Sequence, residues 1–323
     1  MQDTTSTPPT SDHFELKQIA EGVYAAIAVA GGAARSNAGI IDSGDHTIIF
    51  DTFLTPTAAE DLRAAAEHLT GRPASYVINS HAHSDHWCGN QVFASHAPII
   101  ATHQTRDMIP MMMDYLKQVK EDPSELEKEL REDQERLKTE TDVRRLKALE
   151  ASIARWRYVL ASLPTLEFRL PNQTFEGKLV FHGPQRRAEL LTQGKGHTDS
   201  DAYLILPEER IMFMGDLGFF QTQPFMGSCD PEAWMAQLES MHQSNIETFV
   251  PGHGPLGTKA DIALQMEYIT TLEEMVAQVI QEGGSVEGAL QRPLPAQFDG
   301  WLASEMARFE RNVRSSYERL SGK

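Results

Sequence analysis

The chain reads as an α/β (α+β) protein with a helical hairpin inserted between two groups of strands, and three observations predict it. Short apolar runs bounded by Gly, Asp or Pro recur in both halves of the sequence, as strands do. Capped helix starts stand between some of them, at Thr55-Pro56 and Asp230-Pro231. From about residue 104 to 163 the composition changes: glycine is absent, charges of both signs are dense, and Leu and Met recur at helical spacing.

Residues 1–14, rich in Ser, Thr, Pro and Asp, are expected to be a flexible tail ahead of a domain spanning 15–323. Apolar runs at 23–30, 38–41 and 47–50, parted by Gly-rich or Ser-Gly-Asp turns, read as an antiparallel meander. Asp51 closes the third. Thr55 caps a helix running to about Leu69, which Gly71-Arg72-Pro73 stops. Buried strands are expected at 76–79 and 98–101. In the insertion, residues 104–165, Leu146, Leu149, Ile153, Trp156, Leu160 and Leu163 step by three and four as a packing seam. Leu126, Leu130 and Leu137 supply a facing stripe, and Pro123 and residues 139–142 break the run into two or three helices. Further strands are expected at 166–169, 175–182, 188–192, 202–206, 211–214 and 248–250, with Pro207–Arg210 as a hairpin turn. Helices follow at 231–242, and within the C-terminal stretch 258–323 at 259–281 and 301–320.

Composition narrows the partners. A net charge of −17 argues against a nucleic acid, whose binding rests on clustered Lys and Arg. No apolar run approaches the length of a membrane span. Residues 1–9 lack the charged and apolar regions of a signal peptide, which points to the cytoplasm, or to the periplasm or exterior for a chain already processed. Cys88 and Cys229 make no disulfide framework and are expected as two buried free thiols. The helical hairpin and the C-terminal helices would serve as a lid or as a homodimer contact.

The chemistry concentrates in His81-Ala82-His83-Ser84-Asp85-His86, on the loop after the run 76–79. Three imidazoles and a carboxylate within six residues suit a cation, zinc first, with manganese, iron or cobalt as competitors. Structural zinc sites are usually rich in cysteine, and only Cys88 is near, so a catalytic metal is the better reading. One loop supplies too few ligands, and three distant residues stand at strand ends beside glycine. They are His197 in Gly194-Lys195-Gly196-His197, Asp216 after Met214-Gly215, and His253 in Pro251-Gly252-His253-Gly254. The Met-rich start of the insertion, with Met108 and Met112, is a candidate hydrophobic lid, and Phe219, Phe220 and Phe225 a candidate apolar lining. His96, His103, His182 and His242 read as ordinary surface or core histidines.

In this order the seven residues resemble the metallo-β-lactamase-fold hydrolase superfamily over about residues 23–256. The resemblance implies a four-layer αββα sandwich of two mixed sheets with the site at one edge. It implies that His81, His83 and His197 bind one metal, that Asp85, His86 and His253 bind a second, and that Asp216 bridges them. Asp51 corresponds to the family's early strand-end aspartate, which orients a ligand histidine. No Cys stands where B1 β-lactamases place a thiolate, and Asp216 serves instead. That is similar to lactonases, glyoxalase II and methyl-parathion-hydrolase-like enzymes. Asp199 and Asp201 depart from the glyoxalase II pattern, Phe219 stands where the lactonases carry Tyr, and the gap from His86 to His197 is longer than theirs. A flavodiiron-type enzyme would need Glu at His83.

The expected activity is hydrolysis by a pair of Zn2+ ions of a small, partly apolar ester, lactone, amide (β-lactam included) or phosphoester. Asp85 and Asp216 are the expected catalytic carboxylates. The alternatives on the same scaffold are a persulfide-dioxygenase-like enzyme with one iron and a nucleic-acid-processing hydrolase, whose basic arm is not visible in this acidic chain.

Overall fold

The computed structural model describes residues 9–304 and 306–322. Two mixed sheets lie face to face between outer helices. The first runs in the order β1 (Phe14–Ala20), β2 (Val23–Ala28), β3 (Ala38–Asp42), β4 (Thr47–Phe50), β5 (Tyr76–Ile78), β6 (Ile99–Thr102), β7 (Gln173–Phe175). It is antiparallel up to β4 and parallel from there. The second runs β12 (Thr248–His253), β11 (Ile211–Phe219), β10 (Asp201–Leu206), β9 (Arg187–Gly194), β8 (Lys178–His182), with only β11 and β12 parallel.

The two-residue side-chain period of a strand sorts the apolar runs into layers. Ile41, Ile48, Phe50, Ile78 and Ile100 face the second sheet, where they meet Leu204, Leu206, Ile211 and Phe213. Their neighbours Ile40, Ile49, Val77 and Ile99 point the other way, onto Ala58, Ala59, Leu62, Ala65 and Ala66 of α1 (Pro56–Thr70). In the second sheet the alternate residues Tyr203, Met212 and Met214 pack outward. They meet Trp234 and Leu238 of α5 (Pro231–Gln243) and Ile262, Tyr268, Ile269 and Leu272 of α6 (Lys259–Gln281). Strands buried on both faces read as unbroken apolar runs rather than alternating ones. That is why periodicity located these strands without assigning their faces.

The insertion consists of α2 (His103–Glu121), α3 (Ser124–Leu137) and α4 (Val143–Ser162). Along the expected seam only Ile153 and Leu163 are fully buried, the other four residues are half-buried, and α3 buries nothing. α7 (Val286–Leu290), α8 (Asp299–Ser304) and α9 (Met306–Ser321) complete the chain; residue 305, between the last two, is outside the described residues.

Several expectations need correction. Residues 1–8 of the expected tail lie outside the described residues, but the chain just after them is packed. Ser11 Oγ donates to Asp61 Oδ2 at 2.7 Å, His13 is buried, and β1 starts at Phe14 as an edge strand. Residues 166–169 alternate like a strand but join no ladder. Their backbone groups are taken by side chains instead: Lys120 Nζ donates to Leu166 O, Asn90 Nδ2 donates to Arg169 O, and Glu167 N donates to Gln91 Oε1. The run 175–182 is two strands in different sheets, separated at Gly177, which has φ of 62°. Cys88 is buried and free as expected, whereas Cys229 is free but only half-buried. Among the described residues no helix is long and apolar enough to cross a membrane.

Candidate metal centre

Three strand ends and a bulge inside β11, which runs on to Phe219 instead of ending at Asp216, deliver the seven residues to one edge of the sandwich. The tight loop after β5 carries His81 to His86, with Ser84–His86 forming a 3-10 turn. Buried amides lock this loop: Asn79 Nδ2 donates to His86 O at 3.0 Å, and Asn79 and Asn90 exchange hydrogen bonds. His197 sits in the turn between β9 and β10. Asp216 lies within β11, where the register against β12 slips on both sides of Gly215, whose φ is 54°. Such a bulge re-aims the following side chain; here the carboxylate of Asp216 is turned into the site. His253 ends β12.

Two groups of donor atoms result, each within 4.8 Å: His81, His83, His197 and Asp216 in one, and Asp85, His86 and His253 in the other. In the first, His83 Nδ1 lies 3.0 Å from both His81 Nε2 and His197 Nε2, and Asp216 Oδ2 is 3.6 Å and 3.3 Å from the same two nitrogens. A tetrahedral ion with ligand bonds near 2.0–2.1 Å requires edges of about 3.3–3.4 Å, so the spacing fits a cation at the centre. In the second group His253 Nε2 is 3.4 Å from Asp85 Oδ2. The other oxygen of Asp216, Oδ1, faces His86 Nε2 at 3.0 Å and His253 Nε2 at 3.3 Å. One carboxylate thus presents an oxygen to each group.

Burial makes the arrangement costly without a cation. His86 Nε2 and Asp216 Oδ1 are enclosed with no hydrogen-bonding group beyond this cluster of imidazoles and carboxylates, and a buried polar group left unpaired costs about 1–3 kcal/mol. Burial first, then the neighbouring His86, holds His81 well below the usual imidazole range; burial and His197 bring His83 down to about 3. Both are neutral, the state a metal requires. Burial alone would raise the carboxyls of Asp85 and Asp216. The surrounding charges outweigh it, His86, Arg35 and His253 for Asp85 and His253, His86 and His81 for Asp216, and both are held below the carboxylate range. For His86, burial is outweighed by Asp216 and Asp51, which raise its pKa.

Asp51 is fully buried and accepts from His86 Nδ1 at 2.7 Å and from Ser80 N and Ser80 Oγ at 2.8 Å each. That fixes the His86 ring with Nε2 toward Asp216. Phe219 stacks on His253 with centroids 5.0 Å apart, and Phe225 sets its ring 5.6 Å from that of His83. Met108 and Met112 instead pack with Ala82, Trp87 and Cys88, alongside the loop. His103 bonds Thr174 at the surface.

Sequence reasoning passed over the residues that brace this edge. Arg35 Nε is 3.1 Å from Asp85 Oδ2, and Ser36 Oγ donates to the carbonyl of Asp85. Asn37 Nδ2 reaches the carbonyls of Pro251 and Gly254 on either side of His253. Arg35, Asp51 and Phe53 have φ of 68°, 61° and 69°, and left-handed non-glycine residues gather where function holds a backbone in place. The only advance signal was a polar Arg-Ser-Asn triplet entering an apolar run.

A family model described as the metallo-beta-lactamase superfamily matches residues 31–253. Among solved structures, a metallo-beta-lactamase from Pontibacter korlensis is 16% identical with a TM-score of 0.55, covering 80% of this chain and 99% of that one. The metallo-beta-lactamase FIM-1 from Pseudomonas aeruginosa, in a mono-zinc form, is 16% identical with a TM-score of 0.56, covering 81% and 97%. The DIM-1 metallo-beta-lactamase exposed to ceftazidime is 14% identical with a TM-score of 0.55, covering 82% and 99%. At these identities the likeness speaks to the fold.

Proposed function

The chain belongs to the metallo-beta-lactamase superfamily, and from that premise we propose that it is a dinuclear metal-dependent hydrolase of small, partly apolar esters, lactones, amides including β-lactams, or phosphoesters. The observation that carries the reading is the split of Asp216, with Oδ2 among the donors of one group and Oδ1 among those of the other. His81, His83, His197 and Asp216 would hold one ion. Asp85, His86 and His253, with the second oxygen of Asp216, would hold the other. Nitrogen and oxygen donors without a thiolate suit Zn2+, and Mn2+, Fe2+ or Co2+ as well.

When bound, such a pair of ions supplies Lewis acidity that lowers the pKa of water and polarises a carbonyl or phosphoryl oxygen. The chain's own part follows from the geometry. Asp85 stays ionised because His86, Arg35 and His253 outweigh its burial, so Oδ2 can orient water by accepting its proton in a hydrogen bond. Asp216 keeps both oxygens as acceptors for the same kind of reason. Asp51 holds the His86 tautomer. Phe225, half-buried beside His83, offers an apolar ring that favours a substrate of apolar character, whereas Phe219 is fully buried behind His197 and His253.

The test is a metal analysis paired with a hydrolysis panel of lactones, thioesters, β-lactams and phosphotriesters on zinc- and manganese-loaded protein. About two ions per chain and turnover of at least one class are expected. One iron per chain with oxygen uptake and no hydrolysis would overturn the reading.

A further inference from the structure

His83 and His253 are half-buried, while His81, His86 and His197 are fully enclosed, so the two half-buried rings mark the open side of the cluster. Phe225, also half-buried, stands on the His83 side of it, its ring 5.6 Å from that imidazole. That residue is not loosely placed: Asn312 of α9 donates through Nδ2 to Pro224 O at 2.8 Å and accepts from Met226 N at 2.9 Å, clamping the backbone on both sides of it. The residue before Asn312 is Arg311, exposed, with its guanidinium carbon 5.6 Å from the centroid of Phe225. Further along the same helix Arg314 pairs with Glu310 and Glu287, and Arg319 with Glu273. Arg311 has no such carboxylate partner among the described residues. Its helix lies outside the residues matched by the family model.

We propose that Arg311, seated over Phe225, forms an anion subsite on the side of the donor group that contains His83 and His197, and that the substrate joins an apolar body to a carboxylate. The inference rests on the hydrolase reading and narrows its substrate class. A cation on an aromatic face one ring away from a candidate ligand histidine offers both an apolar surface and a fork for a carboxylate. In a chain of net charge −17, an exposed arginine on this face offers an anion a point of positive charge.

The experiment compares 4-nitrophenyl acetate with 4-nitrophenyl hydrogen glutarate, which share a leaving group and a reacting carbonyl and differ in charge. The metal-loaded wild type is set against Arg311→Gln and Arg311→Lys. Arg311→Gln is expected to raise KM for the glutarate ester about tenfold with kcat little changed, to leave the acetate ester within about twofold, and to be largely rescued by Lys. Calorimetry with 4-phenylbutyrate and its neutral amide gives a readout free of turnover: only the carboxylate should bind about tenfold more weakly to Arg311→Gln. Equal effects on charged and neutral partners, or none, overturn the subsite while ester cleavage by the wild type leaves the hydrolase reading standing. Loss of carboxylate binding alone, in a protein that cleaves neither ester, supports the subsite and counts against the hydrolase.

Discussion

Replacing Asp51 with Asn removes one charge and one acceptor from beneath His86 without changing any proposed ligand atom. The position has φ of 61°, a conformation asparagine tolerates better than most residues, so little backbone cost is added. Three donors converge on the native carboxylate: Ser80 N on Oδ1, and Ser80 Oγ and His86 Nδ1 on Oδ2. An amide has one oxygen, so whichever way it turns, its NH2 meets a donor in a place with no solvent. One buried group left unpaired costs about 1–3 kcal/mol of stability. If the NH2 faces His86, the neutral ring gains more by accepting at Nδ1, which moves its proton to Nε2, the atom aimed at Asp216. Loss of such an outer partner weakens metal binding roughly 10–100-fold. Zinc titration against a chelating dye, with circular dichroism to verify folding, reads the effect. The Asp85–His86–His253 group should weaken far more than the group containing His83. Binding at both groups within about twofold of wild type, in a folded variant, would refute the role assigned to Asp51.

The metal-free protein should take up its ions with unequal pH dependence. His86, with its raised pKa, carries a proton that a cation must expel, so affinity at its group rises with pH by up to about tenfold per unit below that pKa. His81 and His83 are already neutral, His83 at about 3, so they add no such slope near neutrality; chelator competition at two pH values checks the difference. Asp85→Ala and His197→Ala should each lower turnover by roughly two orders of magnitude or more with the fold largely intact, since each removes a proposed ligand. Near-normal turnover in a metal-verified variant would remove that residue from the site. Gly252→Ala places a Cβ inside contact distance of Asp216 Oδ1 and of the Gly215 backbone, and should lower both metal content and melting temperature. Gly71→Ala, at a helix end with φ of 69° and open space around it, should cost only about 1–2 kcal/mol and leave metal content unchanged.

What the sequence made legible, and what it hid, follow from where free energy is concentrated. The seven candidate ligands were readable because imidazoles and carboxylates are costly to gather and have few bland explanations. The glycines beside Asp216 and His253 are readable for a related reason: Gly215 supplies a backbone angle, and Gly252 an approach, that a side chain would obstruct. α1 and α5 were placed nearly to the residue because Thr55-Pro56 and Asp230-Pro231 mark their capped starts. The strand at 166–169 failed because alternation records which side chains are buried, as Leu166 is, and not what pairs with the backbone. β1 was missed because Glu15 is exposed and Lys17 and Gln18 are only half-buried, so an edge strand left little apolar signal.

The braces of the site were hidden for a different reason. Arg35, Ser36 and Asn37 act mostly on backbone carbonyls and on one carboxylate far along the chain, Asn37 across 214 residues to Pro251. Nothing in a triplet of ordinary polar residues marks such a target, because a hydrogen bond to a carbonyl has no partner residue type to recognise. The ligands are set by chemistry that only a few side chains possess. Their positions are held by contacts that many side chains could make, and these become visible only once the sheets have brought the strand ends together. Arg311 belongs to this second kind, and its pairing with Phe225 depends on Asn312 fastening α9 to the loop that carries the ring. Substrate choice in this chain should therefore respond to substitutions on α9 that leave every proposed metal ligand in place.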